Sequence, residues 1–442
     1  MPVAVEALVK SPPVPARRYS LERSLALQKY AQAHIPAETQ TFSKGPSQFV
    51  QGVAPVYLER GAGSTVWDVD GNDYLDYSMA LGAIILGYAD PRVAEAIARQ
   101  AREGTVFTLA HPLEVDVTRL LVELIPCAEM VRFGKNGSDV TSAAVRVARA
   151  HTGRDLIACC GYHGWQDWFV GTTTRSRGVP QAVAELTKTF RYNDLASLES
   201  VFAAHPDRIA AVVMEPIGVE APKPGFLEGV RELTQRHGAV LVFDEIVTGF
   251  RLGLGGAQQR FNVIPDLACF GKALANGMPL AALTGRRAIM RHFEEVFFSA
   301  TFGGEAASLA AAKATIEALR EPGVLDAIWA RGQRIQEGYQ ALAQAYGLAS
   351  LTSCIGLPPR TVIQFTSTQG LMMKTYMQQE CIKRGLLFTA AHNMSAAHSD
   401  EDVEQALRVY RTVLEQLKQI LAKEQLAASL EGPVIQPVFR KP

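Results

Sequence analysis

The feature that most constrains this chain is an alternation through its middle. A short apolar run is followed by a stretch of helical period, and then by another apolar run. Leu156-Ile-Ala-Cys-Cys160, Ala210-Ala-Val-Val-Met214 and Val240-Leu-Val-Phe243 are too short for helices and have no polar face. They read as strands buried on both sides. Residues 227–237, between the second run and the third, have helical period. This βαβ rhythm predicts an α/β domain: a large, doubly wound, mostly parallel sheet with helices on both faces. Ligands of such sheets gather outside the carboxyl ends of the strands. The residues that end each run are therefore the ones to inspect.

The flanks differ. Residues 1–18 read as a loose arm and residues 19–37 as a helix. Tyr57-Leu-Glu-Arg and Thr65-Val-Trp-Asp read as strands, with a turn at Asp70-Gly71. From about residue 320 onward the pattern is that of a smaller α+β domain, with a strand at Thr361-Val-Ile-Gln-Phe and a closing helix over residues 400–421. The expected division is 1–75 as N-terminal arm and small-domain segment, 76–320 as the large domain, and 321–442 as the C-terminal small domain. The smaller domain is thus built from both ends of the chain. No internal repeat is visible.

Charge and cysteine usage exclude several classes. Lys plus Arg and Asp plus Glu are both 44, so no polybasic footprint points to nucleic acid or a membrane surface. No apolar run reaches the roughly 18 residues needed to span a bilayer, and the Pro- and Val-rich start lacks the core of a signal peptide. The six cysteines are scattered without metal-ligand spacing, which predicts reduced, buried thiols, no metal site and a cytoplasmic location.

The strand ends carry the chemistry. Val240-Leu-Val-Phe243 ends in Asp244-Glu245, and Cys269-Phe270 runs into Gly271-Lys272. A carboxylate and an amine delivered to strand ends are the pair that pyridoxal phosphate needs: a lysine for its Schiff base and an acid for its pyridine nitrogen. The carboxylate keeps that nitrogen protonated; the amine, once released, moves the substrate proton. Val131-Arg-Phe-Gly134-Lys-Asn136-Gly137-Ser138-Asp139 reads as a strand, a glycine turn and a helix start, where free amides and the helix dipole suit a phosphate. Gly161-Tyr162-His163-Gly164-Trp165 follows a strand and places an aromatic between glycines, suited to stacking on a flat ring. Glu215-Pro216 adds a second acid at the same edge, and Ser299-Ala-Thr301-Phe-Gly-Gly offers hydroxyls to a phosphate. Read singly, each has an ordinary alternative, such as a helix cap, a core tyrosine or a strand-end acid facing water.

Together these motifs resemble the fold-type I pyridoxal-phosphate enzymes, specifically the class III aminotransferases, and most of all their glutamate-1-semialdehyde 2,1-aminomutase-like branch. The resemblance runs from about residue 35 to 420. It rests on Thr65-Val-Trp-Asp-Val-Asp-Gly-Asn, Asn136-Gly-Ser-Asp, Gly161-Tyr-His-Gly, Met214-Glu-Pro, Phe243-Asp-Glu-Ile-Val-Thr-Gly-Phe-Arg251 and Gly271-Lys-Ala-Leu-Ala-Asn-Gly-Met-Pro. It implies Lys272 as the Schiff-base lysine and Asp244 as the pyridinium partner. It also implies Tyr162, His163 and Glu215 about the ring, with Gly137 and Ser138 on the phosphate. Thr301 would reach the phosphate of a neighbouring subunit, which implies a homodimer with shared active sites. Departures are Val247, where many relatives have glutamine, and Gln48, where the aminomutase has an arginine for the substrate carboxylate. An amide does not replace a guanidinium. The expected activity is therefore transfer of an amino group from an amino donor to a carbonyl acceptor, an oxo acid or keto sugar, with Gln48 and Trp165 facing substrate. The alternative is an intramolecular aminomutase. A protein that binds the cofactor without turnover is the third reading, and the Lys272–Asp244 pair argues against it.

Overall fold

The computed structural model describes residues 5–439, which fall into two compact units: residues 82–84 and 91–325, and residues 5–81, 85–90 and 326–439.

The first unit is built on a seven-stranded sheet. Its strands are β1 (Met130–Gly134), β2 (Leu156–Cys160), β3 (Thr187–Thr189), β4 (Ile209–Met214), β5 (Val240–Asp244), β6 (Leu267–Phe270) and β7 (Ala281–Gly285). Their order is β1-β7-β6-β5-β4-β2-β3, parallel except for β7. Period-two alternation sends one set of side chains to each face. Ile157, Cys159, Val213, Val240 and Val242 pack with Val140, Ala144 and Val147 of helix α1 (Gly137–Thr152). Leu156, Ala158, Val212, Leu241 and Phe243 pack on the other face with Phe226, Val230 and Leu233 of helix α2 (Phe226–Arg236). Each large side chain buried there contributes about 1.5–3 kcal/mol.

The end of the sheet away from the site is pinned by Asp266. It accepts from Arg231 at 2.7 and 3.1 Å, from Arg286 at 3.0 Å and from the Leu241 amide at 2.9 Å. Burial pushes its pKa up, but these bonds outweigh burial and the net direction is down.

The second unit holds an antiparallel meander, Leu58–Ala62, Thr65–Asp68 and Asp73–Asp76, which Leu386–Leu387 joins in parallel. A second sheet, Thr352–Leu357, Arg360–Phe365 and Ala391–Asn393, lies in the same unit with helices Gly370–Ile382 and Asp400–Ala422. The expectation of a loose N-terminal arm needs correcting, because most of it is bonded down; its first four residues lie outside the described residues. Arg411 donates to Val9 O, Val14 N donates to Thr412 Oγ1 at 3.0 Å, Arg384 Nε donates to Val14 O at 2.9 Å, and Arg17 N donates to Lys383 O at 2.7 Å. The reason is a pair of buried arginines, Arg384 in the turn after helix Gly370–Ile382 and Arg411 within helix Asp400–Ala422, whose donors find acceptors on the arm. All six cysteines are buried and unpaired. No helix among the described residues is long and apolar enough to cross a membrane.

Candidate active site

Strand register decides which residues stand side by side at the carboxyl edge of the sheet. Cys160 pairs with Met214 and Met214 with Phe243, so the next residues along, Gly161, Glu215 and Asp244, form a row. Asp244 itself pairs with Cys269, and β6 then runs into Gly271 and Lys272 at the same edge. β1 points the same way. Ala282 of β7 pairs with Phe133 on one side and Phe270 on the other, which sets Gly134 level with Gly271.

Asp244 is 5 % exposed. Its Oδ2 lies 2.8 Å from His163 Nδ1, and its Oδ1 accepts from the Ile246 amide at 3.1 Å. His163 Nε2 donates to the Cys160 carbonyl at 3.1 Å. Tyr162, next in the chain, is held through its amide, which donates to Glu215 Oε1 at 2.9 Å. Its ring is half exposed and meets Phe169 edge-on, with centroids 5.6 Å apart. Burial first, and the charge of Asp244 second, raise the pKa of its phenol. Glu245, fully buried, braces the loop after β5 by accepting from Thr248 Oγ1 at 2.6 Å and the Ala257 amide at 2.6 Å.

Lys272 is partly buried and has φ of +44°. A left-handed backbone at a residue with a Cβ costs about 1–2 kcal/mol, and such strain persists where the surroundings impose it, often at functional sites.

The turn after β1 is organised by Asn136, whose Oδ1 accepts from the Asp139 amide at 3.1 Å while Asp139 Oδ2 accepts from the Asn136 amide at 3.0 Å. This capping box serves two donors. The amides of Gly137 and Ser138 lie ahead of the first intrahelical acceptor and point out of the helix end. Ser138 Oγ accepts from Trp165 N at 3.2 Å, which leaves its own proton for an anion. The 161–165 loop sits directly on this turn: a Cβ on Gly164 would fall 2.2 Å from Ser138 Oγ. Lys135, the cation beside the turn, is committed to Glu305 and Ser308, each at 3.1 Å.

The sequence-predicted residues Gly137, Ser138, Tyr162, His163, Glu215, Asp244 and Lys272 therefore meet at one edge of one unit. Trp165 lies on the same loop, 65 % exposed, and Thr301 is exposed in the turn Ala300–Gly303. Gln48 belongs to the other unit, where its Nε2 donates to Gln436 O at 2.7 Å. Sequence reasoning missed Ile246: a Cβ on Gly137 or on Gly271 would meet its Cδ1, at 3.2 and 3.1 Å, so its side chain lies beneath both turns. Its apolar character beside Asp244-Glu245 was the available signal.

These groups fit pyridoxal phosphate. A helix N-terminus with a hydroxyl donor suits its phosphate, the Tyr162 face its ring, a buried carboxylate its pyridine nitrogen, and an amine its aldehyde. Comparison with known proteins agrees. The family model for class-III aminotransferases matches residues 49–427. A 3-aminobutyryl-CoA aminotransferase of Cloacimonas acidaminovorans is 37% identical over 92% of this chain and 100% of its own. A glutamate-1-semialdehyde 2,1-aminomutase of Roseiflexus castenholzii is 36% identical over 84% of this chain and 93% of its own. The solved structure of the PLP internal aldimine form of the Sphingopyxis FumI protein superposes with a TM-score of 0.85 at 28% identity, over 93% of this chain and 99% of that one. The chain belongs to the class-III aminotransferase family.

Proposed function

We propose that this enzyme is a pyridoxal-phosphate-dependent aminotransferase in which Lys272 is the cofactor-binding lysine and Asp244 the partner of the ring nitrogen. The observation that carries the reading is register: Asp244 and the Gly271-Lys272 turn follow adjacent paired strands, beside the row Gly161–Glu215. When bound, pyridoxal phosphate supplies an electron sink and the carbonyl that carries the amino group. The protein supplies the rest. The Gly137 and Ser138 amides and the Ser138 hydroxyl bind the phosphate, and the Tyr162 ring covers one face. Asp244 holds a negative charge opposite the ring nitrogen, and Glu215 fixes the Tyr162 loop. Lys272 Nζ, once released from the cofactor's aldehyde, would take the proton from the amino-bearing carbon of the donor and hold it for return.

The substrates proposed are a small amino donor and a carbonyl acceptor, an oxo acid or keto sugar, with Trp165 and Gln48 on the substrate side. The reading extends to a cytoplasmic homodimer in which Thr301 serves the partner's phosphate. Exposed apolar side chains support a partner surface: Phe107 at 47 %, Leu109 at 83 %, Phe297 at 78 % and Phe302 at 56 %. They sit on two loops joined by the Ala306 amide bonding Thr105 O at 2.8 Å.

A panel of α-amino, β-amino and ω-amino donors, followed by loss of the visible absorbance of lysine-bound cofactor, tests the reading. A donor that bleaches the band and releases its oxo product is the expected result; no donor doing so would sink it. The similarity to aminomutases favours one second reading, rearrangement within one substrate. It is distinguished by turnover with no added donor and no released oxo acid.

A further inference from the structure

We propose that Lys135, through its ion pair with Glu305, is a positioning residue that sets Thr301 for the phosphate held by the partner subunit. The inference deepens the reading above and rests on it for the dimer and for the role of Thr301. The tie itself is defined by geometry within one chain.

Thr301 is exposed on the loop that runs from residue 297 to Glu305. A loop of this kind moves unless its neighbours hold it. Two arginines hold its start. Arg132 Nη2 donates to Phe298 O and Arg146 Nη1 to Phe297 O, each at 2.7 Å. The Phe298 ring packs partly buried against the core of the sheet, and a Cβ on Gly134 would meet its Cζ at 3.4 Å. The end of the loop is harder to fix, because Gly303 and Gly304 come just before Glu305. Glu305 is the anchor beyond those glycines. Its Oε2 accepts from Lys135 Nζ at 3.1 Å and from Ser308 Oγ at 2.6 Å, and its Oε1 accepts from the Ala307 amide at 2.7 Å. The two charged side chains are 20 % and 14 % exposed, so solvent screens the pair less than it would an open surface pair. Burial pushes the pKa of Glu305 up, but the bonds from Ser308 and Lys135 and from two amides outweigh it and the net direction is down.

The three cations share an origin. Arg132 lies on β1, Lys135 in the turn that follows and Arg146 on α1. This is the strand, turn and helix that present the Gly137 and Ser138 amides. Lys135 is built into the same turn, since its own amide donates to Asp139 Oδ2 at 2.9 Å. The unit that receives a phosphate in its own chain thus also grips, at both ends, the loop that it lends to its partner. A hydroxyl that serves a phosphate must be held within about 0.5 Å. Capping the helix Ala306–Leu319 does not account for Lys135, because Glu305 caps the Ala307 and Ser308 amides by itself.

Mixed dimers of full-length chains test the proposal. One chain keeps Lys272 and the other carries K272A, so the visible band of lysine-bound cofactor reports the first chain alone. K135M placed on the K272A chain should speed decay of that band in excess inorganic phosphate by about 5- to 50-fold. K135R in the same place should recover most of the loss. E305Q, which keeps the capping oxygen, breaks the pair from its other side and should act like K135M. An unchanged decay with both K135M and E305Q overturns the proposal. T301A on the K272A chain separates the two levels of the argument. If it leaves the decay unchanged, the shared-site reading of Thr301 fails; if it speeds the decay while K135M and E305Q do not, only the role of Lys135 fails. A second readout needs no cofactor: amide exchange over residues 299–304 should rise by about tenfold in the K135M protein, and exchange at the parent rate would show that Lys135 does not hold the loop.

Discussion

Lys272 and Asp244 are decided by what their side chains can do, and the sequence shows both as polar groups ending apolar strands. Lys272→Ala should lose the visible band of bound cofactor and about two to four orders of magnitude in kcat; a persisting band in the absorbance spectrum would move the assignment elsewhere. A second residue-scale prediction concerns His392 in the other unit. Its Nδ1 lies 2.8 Å from Thr361 Oγ1 and its Nε2 2.7 Å from the Tyr410 hydroxyl, fully enclosed. Burial, and then the charge of His398, push its imidazole down to about 3. Unfolded, it would protonate near 6.5. The unfolded chain therefore binds the extra proton first as pH falls. The stability held above about pH 6.5 is lost progressively between that pH and about 3, amounting to about 2 kcal/mol between pH 7 and pH 5. Urea midpoints at those two pH values should show it, and His392→Gln should remove that part of the loss.

At the scale of elements, the ends of the chain do more than their composition suggests. The C-terminal tail bonds back to the segment around Gln48. The Gln436 amide donates to Ser47 O at 2.9 Å, the Ile435 amide donates to Thr375 Oγ1 at 3.2 Å, and Ile435 is 5 % exposed beside Val50. That segment, with Pro46, Phe49 and Val50, lines a cavity of about 410 Å³ within its own unit. Gly432 lies so close that a Cβ would fall 2.6 Å from Gln51 O, a backbone atom. Gly432→Ala should therefore destabilise the protein by about 1–3 kcal/mol through overpacking and speed amide exchange over residues 46–52; exchange at the parent rate would show that the tail does not hold the segment. Nothing in the local pattern of residues 430–439 announces this docking, because the acceptors, Thr375 and Ser47, lie far away in the chain. The strand-and-helix rhythm of the middle was legible for the opposite reason: short, wholly apolar runs such as β5 and helical spacing on α1 are local.

At the scale of the whole molecule, the proposed dimer makes a claim about mass and activity together. The protein should sediment at twice 48.0 kDa, and charges placed at Leu109 and Phe302 (L109E with F302E) should give a monomer with loss of turnover. A monomeric double variant with full activity would show that the partner's Thr301 is dispensable. Read from residues alone, the chain declares its α/β class and its two-part division, and it offers Lys272, Asp244, Tyr162 and the Gly137-Ser138 turn as site candidates, because strand ends and helix starts are written in neighbouring residues. Which strands pair, and therefore that Gly161, Glu215 and Asp244 share one row, came from packing. So did the partner of each polar group: His163 on Asp244, Lys135 on Glu305 and Gln48 on Gln436. A buried donor or acceptor must be satisfied by whatever the folded chain brings near it, and that choice is made across long sequence separations that local pattern does not encode.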